Sequence, residues 1–556
     1  MGRKCSREFS GWVLALPLVL LILTPIRKTS PQQEQPTIRV TTHLVQVNVI
    51  VQDKHGQPVP DLTRDDFILL DEGKPQKIGL FSVESDRPLS KPVEPLPPGT
   101  FTNRPEYRGQ VQTSVTAILL DGLNTRFEDQ AYARQQVIKF LEQLQPEDHI
   151  ALYVLRDNLR VLHDFTDDAR PLLRALGRYK GHVPTALQTP GRSGADPGSQ
   201  ELAGLRPQEA LLTRELDGYL SCATRRMAEF YVERRMDLTL RTLEAIADHL
   251  GRFPGRKNLI WVSGSFPFSM GIDAQGRCAL NFEVGPRTFL REIERTARAL
   301  NNANLAVYPV DARGLVAIGS GRAYEADMLI RTQGTMEILA ERTGGKAYYN
   351  QNDIQGAIRW VVDDARVTYV LGYYPIHSRW DGKFREIKIS VRRPGLRIRY
   401  RRGYFALEEQ PLGEKEGKAV LDEAAWSPLE ATSIDLKARV RPAQASGENS
   451  LDVYLVIGPC GATFQQQDDR WVGTLDVLLV QPDAEGRKLS GVSSTLDMHL
   501  RSETYQHIQR NGVSLTQQVK IQPNAHQLRV VIRDRVSGAL GSVIVPLSQF
   551  VNERGS

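Results

Sequence analysis

At 556 residues the chain exceeds what one hydrophobic core organises, and domains of about 100–200 residues imply several. Apolar content of 41% and charged content of 24% are those of globular protein rather than of a disordered chain. The formal charge of +6 is concentrated at the start, where Arg3, Lys4, Arg7, Arg27 and Lys28 face only Glu8. The remaining 66 basic against 64 acidic side chains give no support to a polyanion-binding role, so no nucleic-acid partner is expected.

The first thirty residues, MGRKCSREFSGWVLALPLVLLILTPIRKTS, run from a basic start through an apolar stretch over 11–26 to polar, Pro-containing sequence. That is the pattern of an export signal. The apolar run is shorter than the ~20 residues that cross a bilayer comfortably, and no small-x-small cleavage site is evident. A cleaved signal peptide and an N-terminal membrane anchor over 1–30 both stay open. Either predicts an exported chain: periplasmic, extracellular or tethered at the inner membrane. Beyond the leader only Cys222, Cys278 and Cys460 remain, which is neither a disulfide scaffold nor a CxxC metal site. Cys222 and Cys278 fall in segments read as insertions and are candidates to pair in an oxidising compartment; unpaired thiols are the other reading.

From 37 to 85 the pattern alternates. Val45, Val47, Val49 and Val51 share one face, DKHGQPV turns the chain, and FILLDEGKPQKIGLF adds two short strands. This predicts a small β module. Prolines over 86–110 mark a linker. Between 111 and 405 short apolar runs alternate with helical periodicity. VTAILL (115–120), HIALYVL (149–155), NLIWVSG (258–264) and NLAVYPVD (304–311) read as buried strands, separated by amphipathic stretches such as 129–144. Repetition of strand, helix and strand predicts a Rossmann-like α/β domain with a mainly parallel sheet covered on both faces. VTYVLGYYP and KFREIKISVRRPGLRIRYRRGYF read as antiparallel strands closing that domain, with the arginines from Arg392 to Arg402 on a solvated face. The last segment, 423–556, shows only strand-like alternation and reads as a separate C-terminal β-sandwich. The fold class expected is therefore multidomain, with a central α/β domain flanked by β modules.

Asp121 ends the first of these buried strands, with Asn124 and Thr125 behind it, at the place where open α/β sheets bind ligands. Together with TTHLVQVNVIVQDKHGQPVPDLTRDDF, PGRKNLIWVSGSFPF, VYPVDARGL, LAERTGGKAYYN, YVLGYYP and RRGYF, ILLDGLNT resembles the von Willebrand factor type A domain. More specifically, these words resemble the acidobacterial-type VWFA-related family of exported proteins. They run in order from about 41 to 405; the remainder lies outside the resemblance. The resemblance implies a binding role and a metal-ion-dependent adhesion site. In such a site Mg²⁺ is held by two serines, a threonine and outer-shell aspartates, and one position stays open to an acidic group of the partner.

Tested residue by residue, that site is degenerate. Asp121 matches the first aspartate and Thr125 replaces the second serine. Leu123 stands at the first serine position, where an isobutyl group cannot coordinate a hard cation. Ser263 and Gly264 stand where the later Asp-Gly belongs, and Thr239 is the nearest candidate for the loop threonine preceding a helix. Asp121, Thr125 and Thr239 are thus the candidate metal ligands, and any Mg²⁺ they hold is bound weakly with several waters retained. The bland alternative for Asp121 is a carboxylate that accepts backbone N–H groups in the turn, as an N-cap does. Asp311 ends the neighbouring strand and either faces the same crevice or pairs with Arg313. Asp121, Asn124, Ser263, Ser265 and Asp311 are the candidate partner-binding residues.

The G-x-S-x-G elbow is absent around Ser263 and Ser265, which argues against a hydrolase. RFPGRKN lacks the spacing of a phosphate loop. The expectation is an exported, non-enzymatic adhesion or assembly protein with a protein partner. A structural envelope component without a ligand site is the second reading, and an α/β hydrolytic enzyme the third.

Overall fold

The computed structural model describes residues 44–85, 95–108, 114–183, 207–253, 255–264, 269–270, 287–288, 290–316, 323–364, 367–377, 379–407, 413–443, 449–459 and 461–551. The leader, Ser265, Cys278 and Cys460 lie outside these residues, as does the side chain of Cys222, so the expected cleavage or anchoring and the Cys222–Cys278 pair lie outside them too. Among the described residues no helix is long and apolar enough to cross a membrane.

The central domain is built on strands β1 (Ser114–Asp121), β2 (Ile150–Leu155), β3 (Leu159–Thr166), β4 (Arg256–Ser263) and β5 (Leu305–Asp311). They lie in the order β5-β4-β1-β2-β3. β1, β2, β4 and β5 are parallel, and β3 joins as an antiparallel edge. The runs beginning near 115, 258 and 304 therefore lie side by side, as expected. The sheet is covered on both faces, which is why its strands read as unbroken apolar runs. Helices α3 (Pro207–Leu250), α4 (Leu290–Asn302) and α5 (Ala323–Thr343) pack Leu243, Ile246, Ile293, Leu300 and Leu339 against one face. Helices α1 (Phe127–Leu141), α2 (Ala169–Arg178) and α6 (Ile354–Asp364) pack Val137, Phe140, Leu172, Leu176 and Ile358 against the other.

The N-terminal β module does not end at 85. Strand Val45–Gln52 pairs with Val367–Tyr373, which also pairs with Ile78–Ser85; Phe67–Asp71 pairs with Asp381–Val391. Strands 367–407, expected to close the central domain, instead complete the module on the other side of it. The physical reason is cover: Val45, Val47, Val49 and Val51 are all buried, and the few short strands before 86 cannot enclose a core alone. The solvated arginine face is corrected at Arg399, which pairs with Asp364 and lies over the rings of Trp360 and Tyr308.

The segment expected as a linker over 86–110 also carries structure. Thr100–Thr102 pairs with Leu436–Pro442 as a strand of the C-terminal domain. That domain encloses one core between two antiparallel sheets, as a β-sandwich does. It also carries helices that strand-like alternation did not predict: α7 (Glu414–Trp426) lies on the outer face of one sheet, and α8 (Ser502–Asn511) follows strand Lys488–Leu500.

The end of α3 docks on this sandwich. Asp248 O accepts from Thr432 N (2.9 Å), His249 O accepts from Thr432 Oγ1 (2.9 Å), and Arg252 pairs with Asp435 (2.9 Å). A Cβ at Gly251 would lie 2.7 Å from Ser433 Oγ, so a side chain there would have to turn that hydroxyl aside. In the cleft between α3 and α7 the Asp248 carboxyl meets Glu244 and Glu423. Burial first, and then these two charges, push it from an ordinary value near 3.8 up to about 7. Arg241 and Arg295 bind Glu423 and Glu244 at the same seam.

The folded state keeps the Asp248 proton between pH 3.8 and about 7, where the unfolded chain releases it. Stability therefore falls as pH rises through that window and stays lowered above it. Asp248→Asn is expected to remove this share of the slope and to raise stability at pH 8 by about 1–2 kcal/mol, a value discounted because the group is partly exposed. Urea melts at pH 5 and pH 8 check it; a variant whose loss between the two matches the parent's would refute the assignment.

Candidate functional site

The strand order reverses between β1 and β4, and the crevice beyond their carboxyl ends is the switch point of the sheet. Asp121 closes β1 and Ser263 closes β4, with Leu120 opposite Val262 in the register. Asp121 is 2% exposed, and its carboxylate is met by four protein donors. Oδ1 accepts from Asn124 N (2.9 Å); Oδ2 accepts from Asn124 Nδ2 (2.8 Å), Ser263 Oγ (2.8 Å) and Trp261 Nε1 (3.0 Å). The N-cap-like reading of Asp121 thus describes one of four contacts. Burial pushes the carboxyl above the ordinary range, and the hydrogen bonds from Asn124, Ser263 and Trp261 pull it back in part.

Asn124 joins this carboxylate to α3. Its Nδ2 also donates to Thr239 Oγ1 (2.8 Å), and its Oδ1 accepts from Arg235 Nε (3.1 Å). Thr239 does not stand on a loop before a helix. It lies inside α3, where its hydroxyl donates to Arg235 O one turn back (2.8 Å). Burial lowers the guanidinium pKa of Arg235 and the charge of Asp121 raises it, so a cation already sits at the edge of the cluster. Thr125 turns toward β4 instead, its Oγ1 accepting from Gly264 N (2.8 Å). Leu123 is buried in the core beneath α3, which accounts for a leucine at the first serine position.

Asp311 does not join the group. Its carboxylate is bound by Arg313, with Nη2 to Oδ2 at 2.7 Å, Nε to Oδ1 at 2.9 Å and the backbone N–H to Oδ1 at 3.0 Å. Asp121, Asn124, Ser263 and Asp311 are all buried, so as placed they shape the crevice floor and do not present themselves to a partner. Arg235, Trp261 and Gln130 were missed by sequence reasoning. Gln130 donates to the carbonyls of Thr125 (2.7 Å), His182 (2.7 Å) and Gly122 (3.2 Å) and so fixes the loop after β1. The available signals were spacing alone: Trp261 two residues before Ser263 on one strand face, and Arg235 one turn before Thr239.

These residues do not fit a divalent cation. The atom that bridges Asp121 and Thr239 is an amide N–H donor, which cannot coordinate a metal, and Ser263 already donates its hydroxyl proton to the carboxylate. Among the described residues no group of three His, Cys, Asp or Glu side chains is gathered as a metal ion would require.

Comparison with protein-family models and with curated proteins found no match. Among solved structures the chain is similar to the conserved hypothetical protein BatB from Bacteroides thetaiotaomicron, with 12% identity over 45% of this chain and 98% of that one and a TM-score of 0.21. It is similar to the SpRpn10 VWA domain, with 11% identity over 45% and 94% and a TM-score of 0.18. It is also similar to proximal thread matrix protein 1 from the mussel byssus, whose MIDAS motif is occupied by zinc, with 8% identity over 47% and 48% and a TM-score of 0.23. Likenesses this slight leave the fold description resting on the strand order itself.

Asn124→Ala removes the group that satisfies Asp121, Thr239 and Arg235 together. The expected loss of stability is about 2–3 kcal/mol, because a buried guanidinium and a buried carboxylate each lose a partner. Guanidinium melts measure it; a loss below about 0.5 kcal/mol, the scale of an ordinary surface change, would contradict the network.

Proposed function

We propose that this is an exported binding protein whose von Willebrand factor A-like domain recognises a protein partner at the crevice rim without a bridging metal. The observation that carries this reading is the amide of Asn124, bonded at 2.8 Å to both Asp121 and Thr239. It occupies the place where the type A resemblance asks for a cation. The strand order, reversing beside Asp121, supports the domain type, and the leader pattern supports export.

Recognition then falls to side chains around the buried cluster. Phe127, the first residue of α1, is 47% exposed, and Leu315, just beyond β5, is 62% exposed. Both lie at the carboxyl ends of the strands, where an apolar side chain open to water suits a contact surface. The role is recognition rather than catalysis. The Ser263 hydroxyl donates directly to a carboxylate in the sheet and is fully buried, which suits a structural group better than a nucleophile.

Calorimetric titration of the full chain with Mg²⁺, Mn²⁺ and Ca²⁺ is expected to give no saturable heat, in the parent or in Asp121→Ala. Saturable binding in the parent that the substitution abolishes would overturn the metal-free reading. For the partner arm, Phe127→Asp with Leu315→Asp is expected to weaken binding of a protein captured from envelope extract at least about tenfold. Unchanged capture would move the contact away from the rim.

A further inference from the structure

Strand Lys488–Leu500 is an edge of the C-terminal sandwich. It pairs along its length with Arg470–Pro482, and among the described residues no strand pairs with its other side. Helix α8 covers only its far end, where Tyr505 stacks on Trp471 at 4.0 Å beside Leu500. Natural sheets guard such edges with charge, proline, bulges or a covering segment. Several edges of this chain are guarded in this way. The edge at Lys74–Pro75 is two residues long and carries a lysine and a proline, Arg397–Arg399 carries two arginines, and a bridge from Thr432 to Gly541 closes the edge at Leu540–Pro546. By contrast, residues 489–496, Leu-Ser-Gly-Val-Ser-Ser-Thr-Leu, contain no charge and no proline, and the one irregularity in the register lies at their start, where Leu489 is skipped between Lys488 and Ser490.

Val492 marks what is missing. It stands opposite Leu479 in the register and so shares its face. Leu479 belongs to the sandwich core and is 2% exposed, whereas Val492 is 44% exposed. An apolar residue on the core side of the sheet is left open at the edge, and a further strand would cover it.

We propose that the occupant is a second copy of this chain, paired antiparallel through the same edge about a two-fold axis at Val492. Residues directly opposite in an antiparallel pair share a face, so a two-fold axis normal to the sheet passes through a residue and not between two. The uncharged stretch is centred on Val492 and Ser493, and the axis at Val492 is the one that sets valine against valine on the core side. Gly491 then meets Ser493 and Ser490 meets Ser494. Beyond the irregularity at Leu489, Lys488 comes near Asp497 of the second copy, so each strand end brings opposite charges near one another and no like charges meet.

Sedimentation of the full chain is expected to show a monomer–dimer equilibrium. Val492→Lys and Val492→Glu, each alone, place like charges across the axis and are expected to weaken the dimer at least about tenfold. Mixing the two variants is expected to restore it, because lysine then faces glutamate. Melting curves matching the parent confirm that both variants fold, as an exposed position permits. A parent that stays monomeric up to about 100 μM, a dimer that both variants leave intact, or a mixture that fails to recover association would each overturn the proposal.

Discussion

An ionised carboxylate cannot be left alone in a protein interior, because its desolvation exceeds what a folded chain can tolerate without donors or a counter-charge. Asp121 imposes that demand at the end of a strand whose two faces are already covered by helices. The donors come from the loop after β1, from Trp261 and Ser263 on β4, and through Asn124 from Arg235 on α3. One buried carboxyl thereby ties three elements at the switch point. It also fixes the rotation of α3, since only one face of that helix brings Arg235 and Thr239 together beneath the loop.

That fixed helix has a second consequence at its C-terminal end. Asp248, His249 and Arg252, within a few turns of Thr239, bond the segment 430–435 that leads into the sandwich. The crevice and the C-terminal domain are thus joined by a single rigid element rather than by a linker. The N-terminal module meets the central domain differently. Ser85 and Val367 are opposite one another in a strand pair, so the central domain leaves and returns at neighbouring positions. Closing a loop of that length costs entropy that grows only slowly with length. The pairing is nonetheless non-local, and assembly of the module waits on the return of the chain.

What was legible in the sequence follows from whether the information is local. β1, β4 and β5 stood out as apolar runs because a parallel sheet covered on both faces has no polar side. The loss of a ligand at Leu123 was legible because side-chain chemistry alone excludes it. The partner of strand Val367–Tyr373 was not legible, since nothing within those residues distinguishes a seat beside β5 from one beside Val45–Gln52. Thr100–Thr102 was hidden by the prolines around it. Arg235 was hidden because its role depends on which face of a 44-residue helix turns toward Asn124. Thr239, expected on a loop as a metal ligand, lies instead on a helix, where its hydroxyl accepts from Asn124 and donates to Arg235 O.

A metal bridge would give an adhesion contact a strong, directional bond to a partner carboxylate. On the proposed reading an internal amide stands in its place, which changes the energetics of recognition. On that reading recognition rests on the exposed Phe127 and Leu315, whose burial would supply about 25 cal/mol per Å² against the cost of association. One such rim would bind modestly. Pairing of two chains through the sandwich edges would present two rims at a separation set by rigid domains, because α3 fixes the crevice relative to the sandwich. The second contact then forms at high effective concentration, and avidity can exceed single-site affinity by orders of magnitude. On this argument the unguarded edge and the metal-free crevice are complementary features: the first offsets the affinity that the second gives up.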